Sequence, residues 1–432
     1  MVFEDAISTM MQTSRVVEES FATDVKVLHR AKHDALPGIG IALLTGCKDR
    51  PYVFGLATAL GSKDMRVDIV GSDEIDSPEL HAVASLRFLN FFGSHNADAP
   101  FAEKLSKVLR YYAKLTRYAA RSSPKVLHIL WNNKFELFDR TILMLYYKAL
   151  GKKIAFTAHN VNQGQRDGKD SWLNRVTLRI QYRLCDHIFV HTQQMKQELC
   201  REFDVSEKAV TVIPFPINNA SPNTKLTSAE AKRRLGLRDD ERAILFFGRV
   251  RPYKGTEHLL DAFRLLPDKQ ANYRLIIAGE PIKGCEDYRR EIQSSVSRDF
   301  NDGQVMLRMQ FIPDDEVEVY LKAADVLVLP YKDIFQSGVL FLAYAFGLPV
   351  VANDVGPFRE EIVEGSTGFL CKPGEPAEMA RAIETYFASD LFKNLDARRK
   401  QIKDYANANH SWHAVAESTC SAYAKMLGRN PS

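Results

Sequence analysis

Leu245-Phe246-Phe247-Gly248-Arg249-Val250-Arg251-Pro252-Tyr253-Lys254-Gly255 is the stretch on which the fold turns. An apolar run stops at Gly248, two cations follow in a loop, and a helical pattern opens after Gly255 over 256–265. A strand that gives way to a loop and then to an amphipathic helix is the opening of a βαβ unit. In open parallel sheets ligands bind beyond the carboxyl ends of the strands, which is where Arg249 and Lys254 fall. An Arg fork and a Lys point charge together suit a diphosphate, although two loop cations on their own are as readily a solvated surface.

Outward from this loop the alternation continues. Strands are expected over 243–247, 274–278, 305–309, 326–329 and 349–352, with helices over 288–297, 314–323 and 338–346 between them. Upstream, strands are expected over 39–45, 66–70, 126–131, 153–157, 187–191 and 210–213, alternating with helices over 52–60, 137–150, 172–183 and 193–202. Strands that are apolar throughout and separated by helices predict α/β domains with parallel sheets covered on both faces. Pro214, Pro216, Asn218, Asn219, Ser221, Pro222 and Asn223 crowd one stretch and predict a linker over 217–240. The expected organisation is an N-terminal domain over 1–216, a C-terminal domain over 241–408, and a last helix within 409–432 that packs back towards the N-terminal domain.

Composition sets the bounds. A chain of 432 residues exceeds what one core supports, so two domains are the default. With 45% hydrophobic and 26% charged residues it is ordinary globular material. The six cysteines, at 47, 185, 200, 285, 371 and 420, show no Cys-x-x-Cys spacing and read as free thiols in a reducing compartment. The acidic start of the chain, with Glu4, Asp5, Glu18 and Glu19, argues against a secretory signal, and the apolar stretch 338–352 is interrupted by Gly347 and Pro349. A cytoplasmic protein without a membrane span is expected.

Three further loops add to the Arg249 and Lys254 signal. The strand before Pro330 leads into Tyr331-Lys332-Asp333-Ile334-Phe335-Gln336-Ser337-Gly338-Val339, a helix start whose N–H groups and dipole suit a phosphate. The next strand ends in Asn353-Asp354-Val355-Gly356-Pro357-Phe358-Arg359-Glu360, and a Gly365 to Gly368 turn follows. In this order, with the Phe311-Ile312-Pro313 segment and Gly347-Leu348-Pro349, the sequence resembles the retaining nucleotide-sugar glycosyltransferases of family 4, which have the GT-B fold: two Rossmann-like domains facing across a cleft. The likeness is dense over about 240–375 and diffuse before it, where only Thr157-Ala158-His159-Asn160 matches.

The resemblance implies that Gly248, Arg249 and Lys254 bind the donor diphosphate and that Ser337, Gly338 and Val339 cap it. It also implies that Phe311, Ile312 and Pro313 lie beside the base, Glu360 lies near the donor sugar, and His159 faces the transferred sugar. The Gly46-Cys47 turn and Asn160 are expected on the acceptor side. One departure stands out: the family's two glutamates, eight positions apart, are here Ile334 and Leu342, and Asp333 or Gln336 is expected to supply the lost sugar contact. A lone histidine after a strand is more often a core residue, but the polar neighbours Asn160, Asn162 and Gln163 favour a ligand role.

The implied reaction is transfer of a sugar, with retention, from a nucleoside diphosphate sugar to a hydroxyl acceptor. Neither a cofactor nor a metal is expected. Two alternatives are a GT-B nucleotide-sugar epimerase and a non-catalytic nucleotide-sugar-binding protein, the latter prompted by the missing glutamates. Charge speaks to the acceptor: residues 101–200 hold 18 Lys and Arg against 7 Asp and Glu. Within them Lys104, Lys107, Arg110, Lys114, Arg117 and Arg121 recur at helical spacing beside an apolar stripe of Leu105, Val108, Leu109, Tyr112 and Ala119, and Arg175, Arg179 and Arg183 add a second cationic face. This predicts an anionic partner, a membrane surface carrying a lipid-linked or polysaccharide acceptor, rather than a nucleic acid; a solvated helix face is the blander alternative.

Overall fold

The computed structural model describes residues 39–94, 96, 99–166, 170–217, 223–267, 272–282 and 284–429, so the reading of the acidic N-terminus lies outside the described residues. The chain forms two compact units. One comprises residues 1–216 with 411–432, and the other 217–410.

The first unit is built on seven strands: β1 (Gly40–Leu44), β2 (Arg66–Gly71), β3 (Leu86–Asn90), β4 (Val126–Ile129), β5 (Lys153–Thr157), β6 (His187–Val190) and β7 (Val210–Val212). They pair in the order β3-β2-β1-β4-β5-β6-β7, every ladder parallel. The second unit holds β8 (Arg242–Phe247), β9 (Tyr273–Ala278), β10 (Val305–Arg308), β11 (Val326–Leu329), β12 (Val350–Asn353) and β13 (Gly368–Cys371), also all parallel, in the order β10-β9-β8-β11-β12-β13. Each unit therefore starts mid-sheet, grows to one side, then returns to grow on the other. That is the doubly wound arrangement, and the apolar runs of β1, β8 and β11 are buried because helices cover both faces.

Several elements depart from expectation, among them β13, which follows the Gly365 to Gly368 turn, and the helices Pro376–Ala388 and Leu395–Asn409. β3 went unread because its sequence, Leu86-Arg87-Phe88-Leu89-Asn90, is that of an exposed edge strand, with Arg87 paired to Asp68 across the ladder. The stretch 217–240, expected as a linker, carries the helix Ser228–Arg234, started by a capping box between Thr227 and Glu230. It is bound into the second unit by Thr224 donating to Glu318 at 2.8–2.9 Å and by a buried Lys232–Asp325 pair at 3.1 Å. The final helix, Trp412–Met426, packs on the helix Arg50–Gly61 of the first unit, and its Val415, Ala416 and Tyr423 are part of that unit's core.

Candidate active site

In the second unit the strand order reverses between β8 and β11. Loops leaving neighbouring strands towards opposite sides open a crevice there. The two loops are the glycine-and-cation segment 248–255 and the segment 330–337. They lie against each other: Lys332 N donates to Tyr253 O at 2.8 Å, and a Cβ on Gly248 would stand 3.1 Å from Val339 and 3.2 Å from Lys254 Nζ. Gly255 has φ +64°, and a Cβ there would stand 2.2 Å from Pro330 O, so only glycine allows the approach.

The two predicted cations differ. Arg249 is exposed and forms no ion pair among the described residues. Lys254 is 7% exposed, in a 3-10 turn over Pro252–Lys254, with Nζ 5.3 Å above the Tyr331 ring. A cation over an aromatic face is favoured electrostatically, which helps to hold the buried ammonium in place. Around it three buried polar groups have no hydrogen-bond partner among the described residues: Tyr331 OH, Ser337 Oγ and Gln336 Nε2. Ser337 opens the helix Gly338–Ala345 without capping it, while Gln336 Oε1 accepts from Ser337 N at 3.0 Å. Unsatisfied buried polar groups gathered at one loop are groups that a bound ligand would satisfy.

The remaining predicted donor residues differ in burial. Asp333 is exposed. Ile334 is buried, and a Cβ on Gly356 would stand 2.0 Å from its carbonyl, which brings the Glu360 loop onto the β11 loop. Glu360 is exposed on the short helix Phe358–Glu361. Phe311 is 67% exposed whereas Ile312 is buried, and Pro313 precedes the helix Asp314–Ala323 after edge strand β10. Glu361, which the sequence did not single out, is buried with His410 Nε2 3.3 Å away; burial, with Glu360 adding, pushes its carboxyl up to about 8.

In the first unit the order reverses between β1 and β4, where the loops 45–49 and 130–134 meet. Gly46 has φ +57°, and a Cβ on it would stand 2.8 Å from Trp131 O. Lys48 Nζ donates to Asn132 O at 3.3 Å. Burial pushes the Cys47 thiol up to about 11, so it is protonated and a poor nucleophile. Just beyond, after β5, His159 stacks on Trp131 with centroids 4.3 Å apart and meets the Tyr52 ring edge-on at 4.8 Å. Its Nδ1 lies 3.2 Å from His191 Nε2, and its buried Nε2 has no partner among the described residues. Burial, reinforced by His191 and His128, holds His159 well below the usual imidazole range, so the ring is neutral. Asn160 follows it, partly exposed.

The basic helix spans Phe101–Arg121. Its expected apolar stripe is corrected: Val108, Tyr111, Tyr112, Leu115 and Ala119 are buried, but Leu105 and Leu109 face solvent at 38% and 56%. A stripe drawn on alternating turns missed that the helix rolls Tyr111 and Leu115 inward. Arg175, Arg179 and Arg183 are exposed on the helix Trp172–Leu184, where Arg175 pairs with Asp170, Arg183 with Asp204, and Arg179 donates to Glu202 O. Of 13 large apolar side chains exposed among the described residues, ten fall in 101–173: Phe101, Leu105, Leu109, Phe135, Leu137, Ile142, Leu145, Leu150, Trp172 and Leu173. Three neighbouring helical segments carry them, joined by Tyr146 OH to Thr116 O at 3.1 Å and Arg140 to Asn174 at 2.9 Å. Among the described residues no cluster of three or more His, Cys, Asp or Glu could hold a metal ion, and no helix is long and apolar enough to cross a membrane.

Residues 51–220 match the family model for Glycosyltransferase Family 4, and residues 227–408 that for Glycosyl transferases group 1. The chain is 24% identical over 392 residues to D-inositol 3-phosphate glycosyltransferase of Corynebacterium glutamicum, covering 86% of this chain and 90% of that protein. It is 28% identical over 256 residues to an uncharacterized glycosyltransferase of Methanocaldococcus jannaschii, covering 57% of this chain and 63% of that one. Among solved structures, sucrose-phosphate synthase of Thermosynechococcus elongatus superposes with TM-score 0.70 at 21% identity, over 90% of this chain and 99% of that one. HepE of Anabaena in complex with UDP and glucose does so with TM-score 0.69 at 17% identity, over 90% and 100%. At such identities these two establish the shared fold.

Proposed function

Because the chain belongs to the family-4-type glycosyltransferases of the GT-B fold, we propose that it moves a sugar, with retention, from a nucleoside diphosphate sugar to a hydroxyl acceptor. The observation that carries this reading is the buried Lys254 beside unsatisfied Tyr331, Ser337 and Gln336 at the reversal point of the second sheet. In the reaction the bond from the anomeric carbon to the diphosphate oxygen breaks, the acceptor oxygen bonds to the same face of that carbon, and the acceptor proton passes to the departing diphosphate. Lys254 and Arg249 stabilise the charge that develops on the leaving group, and the start of the helix Gly338–Ala345 adds its N–H groups. This charge neutralisation is assigned to the chain's own cations. His159, neutral, hydrogen-bonds the sugar rather than protonating it. An epimerase would need an acid and a base around the sugar, a pair that the neutral His159 does not supply.

The donor base and sugar are best sought first among uridine diphosphate sugars, since HepE is described in complex with UDP-glucose. The test is a radiolabelled transfer assay with UDP-glucose and a panel of hydroxyl acceptors, with release of UDP monitored. Transfer or hydrolysis supports the reading; epimerised donor without acceptor, or nucleotide binding with no turnover of any donor, overturns it.

The acceptor, on the same reading, is carried by an anionic membrane. Ten exposed apolar side chains on three adjoining helical segments, interspersed with the exposed Lys104, Arg110, Lys114, Arg117 and Arg121, suit an interface of headgroups and acyl chains. Self-association through so cationic a face would bring like charges together. Co-sedimentation with vesicles containing phosphatidylglycerol is expected to exceed that with neutral vesicles severalfold and to fall with salt. Equal binding to both vesicle types, or none, would leave a soluble acceptor.

A further inference from the structure

The loop that leaves β4 at the reversal point of the first sheet carries Asn132 and Asn133, and their amides are held in different ways. The Asn132 amide is paired on both sides with the buried Gln181, its Oδ1 accepting at 2.8 Å and its Nδ2 donating at 3.2 Å, which ties the loop to the helix Trp172–Leu184. Asn133 belongs to a second network, with Tyr111, Tyr112 and Asp139. Tyr111 OH donates to Asn133 Oδ1 at 2.7 Å, and Asn133 Nδ2 donates to Asp139 Oδ1 at 3.1 Å. Tyr112 OH donates to the same carboxylate oxygen at 2.9 Å. All three partners are buried, whereas Asn133 is partly exposed.

The loop is fastened without this network, by Leu130 N to Leu44 O at 2.9 Å, Asp139 N to Phe135 O at 2.9 Å and the Asn132 to Gln181 pair. Asp139 is moreover a costly group to place there, a buried carboxylate with no ion pair among the described residues and with Oδ2 lacking any hydrogen-bond partner among them. It begins a π-helical turn, Asp139–Leu143, inside an otherwise α-helical run over 136–149, an irregularity that recurs at functional sites. Burial raises its carboxyl to about 6, so at pH 7 it is ionised and can only accept. A partner that only accepts fixes which end of the Asn133 amide is nitrogen, and Tyr111, donating, meets the oxygen. One N–H and one lone pair of the amide are left over.

We propose that Asn133 binds a hydroxyl of the acceptor at the crevice of the first unit, and that Tyr111 and Asp139 are positioning residues that hold its amide in the orientation this requires. The loop places it there: a Cβ on Gly46 would stand 2.8 Å from Trp131 O and 3.1 Å from Asn132 O, so the Gly46-Cys47 turn packs directly on this segment. A remaining N–H and a remaining lone pair match a hydroxyl, which both accepts and donates, and match the neighbouring hydroxyls of a sugar or polyol; an anion or a cation would use only one of the two. The inference rests on the proposed transfer to a hydroxyl acceptor.

The experiment follows UDP-glucose turnover by the full chain with n-octyl β-D-glucoside as a sugar-hydroxyl acceptor, reading transfer against hydrolysis, in which water takes the acceptor's place. Asn133→Leu keeps the volume and loses the amide. It is expected to raise the acceptor KM and lower the ratio of transfer to hydrolysis, each about tenfold, with the donor KM within about twofold of the parent. Tyr111→Phe and Asp139→Leu should move the same two quantities in the same direction, and Asp139→Asn, whose Oδ1 still accepts from Asn133, should stay within about threefold of the parent. Unfolding temperatures are measured alongside, and if Asp139→Leu fails to fold, Asn133→Leu and Tyr111→Phe carry the test. An unchanged acceptor KM and ratio in Asn133→Leu overturns the inference, as does a folded Asp139→Leu that melts earlier with its ratio unchanged. Hydrolysis of UDP-glucose by the parent chain without transfer to n-octyl β-D-glucoside or any other hydroxyl compound of the panel also overturns it, whereas no turnover of any donor overturns the proposed function on which it rests.

Discussion

The reversal points of the two sheets share a topology and differ in chemistry. At β8 and β11 the crevice is lined by a buried ammonium, an exposed guanidinium, a helix start and unsatisfied hydroxyl and amide groups. At β1 and β4 it is lined by stacked rings, Trp131, His159 and Tyr52, with Lys48 tied to a main-chain carbonyl. On the proposed reading the first takes the anionic part of the donor and the second an uncharged polar ligand against an aromatic wall. Backbone geometry supplies the crevice, and the few side chains in its two loops decide what it holds.

The comparison extends to buried titratable groups, and pH is the strongest way to test it. In the first unit burial holds His191 near 4, His128 near 3, and His159 well below the usual range. These depressed values mean that the unfolded chain binds more protons below pH 6.5, so stability is lost on acidification, by about 2 kcal/mol each for His191 and His128 at pH 5, with His159 acting in the same direction. In the second unit Glu361 is pushed up to about 8 from an ordinary 4.5, so the folded form binds the extra proton and stability is lost as pH rises between those values, by about 2–4 kcal/mol. Hydrogen exchange resolved by unit should show the first unit opening more at pH 5 and the second more at pH 8.5. Glu361→Gln should flatten only the alkaline change. Parallel pH profiles in the two units would break the comparison.

Next in size is Lys254→Ala, expected to cost about 2–4 kcal/mol of transition-state stabilisation, or 30- to 1,000-fold in kcat/KM, as for loss of one preorganised electrostatic donor. Thermal stabilisation by UDP should fall with it. Arg249→Ala should act in the same direction but less on folding, because it is exposed. Unchanged turnover in both would remove the anion from the second crevice.

The smallest expected effects come from matched glycine substitutions. Gly255→Ala and Gly46→Ala each force a Cβ onto a carbonyl at positive φ, costing about 1–3 kcal/mol. The C-terminal variant should lose stabilisation by UDP, and the N-terminal variant should keep it while losing turnover. Equal loss of nucleotide binding in both would blur the division of labour.

Much of this was legible beforehand. Alternating apolar runs and helices predicted both sheets apart from their edge strands β3 and β13, and the Gly248 to Gly255 loop and Ser337-Gly338 helix start were located because strand ends, glycines and cations are local signals. The Thr227 to Glu230 capping box was equally local and could have recovered the helix that replaces the expected linker. His191 and Glu361 could not be found that way. His191 is 32 residues from His159, and His410 lies in the last helix-end of the second unit, so neither pairing leaves a spacing to read.

The sequence by itself determined the fold class, the strand-end loops that carry the chemistry and the cationic bias of 101–200, because periodicity, turn chemistry and charge belong to contiguous residues. Tertiary structure alone decided that Lys254 is buried and Arg249 exposed, that His159 is clamped by Trp131 and touches His191, that burial raises the proton affinity of Glu361, and that Leu105 and Leu109 face outward. Burial and proton affinity are properties of surroundings assembled from segments far apart in the chain, and no residue carries them alone.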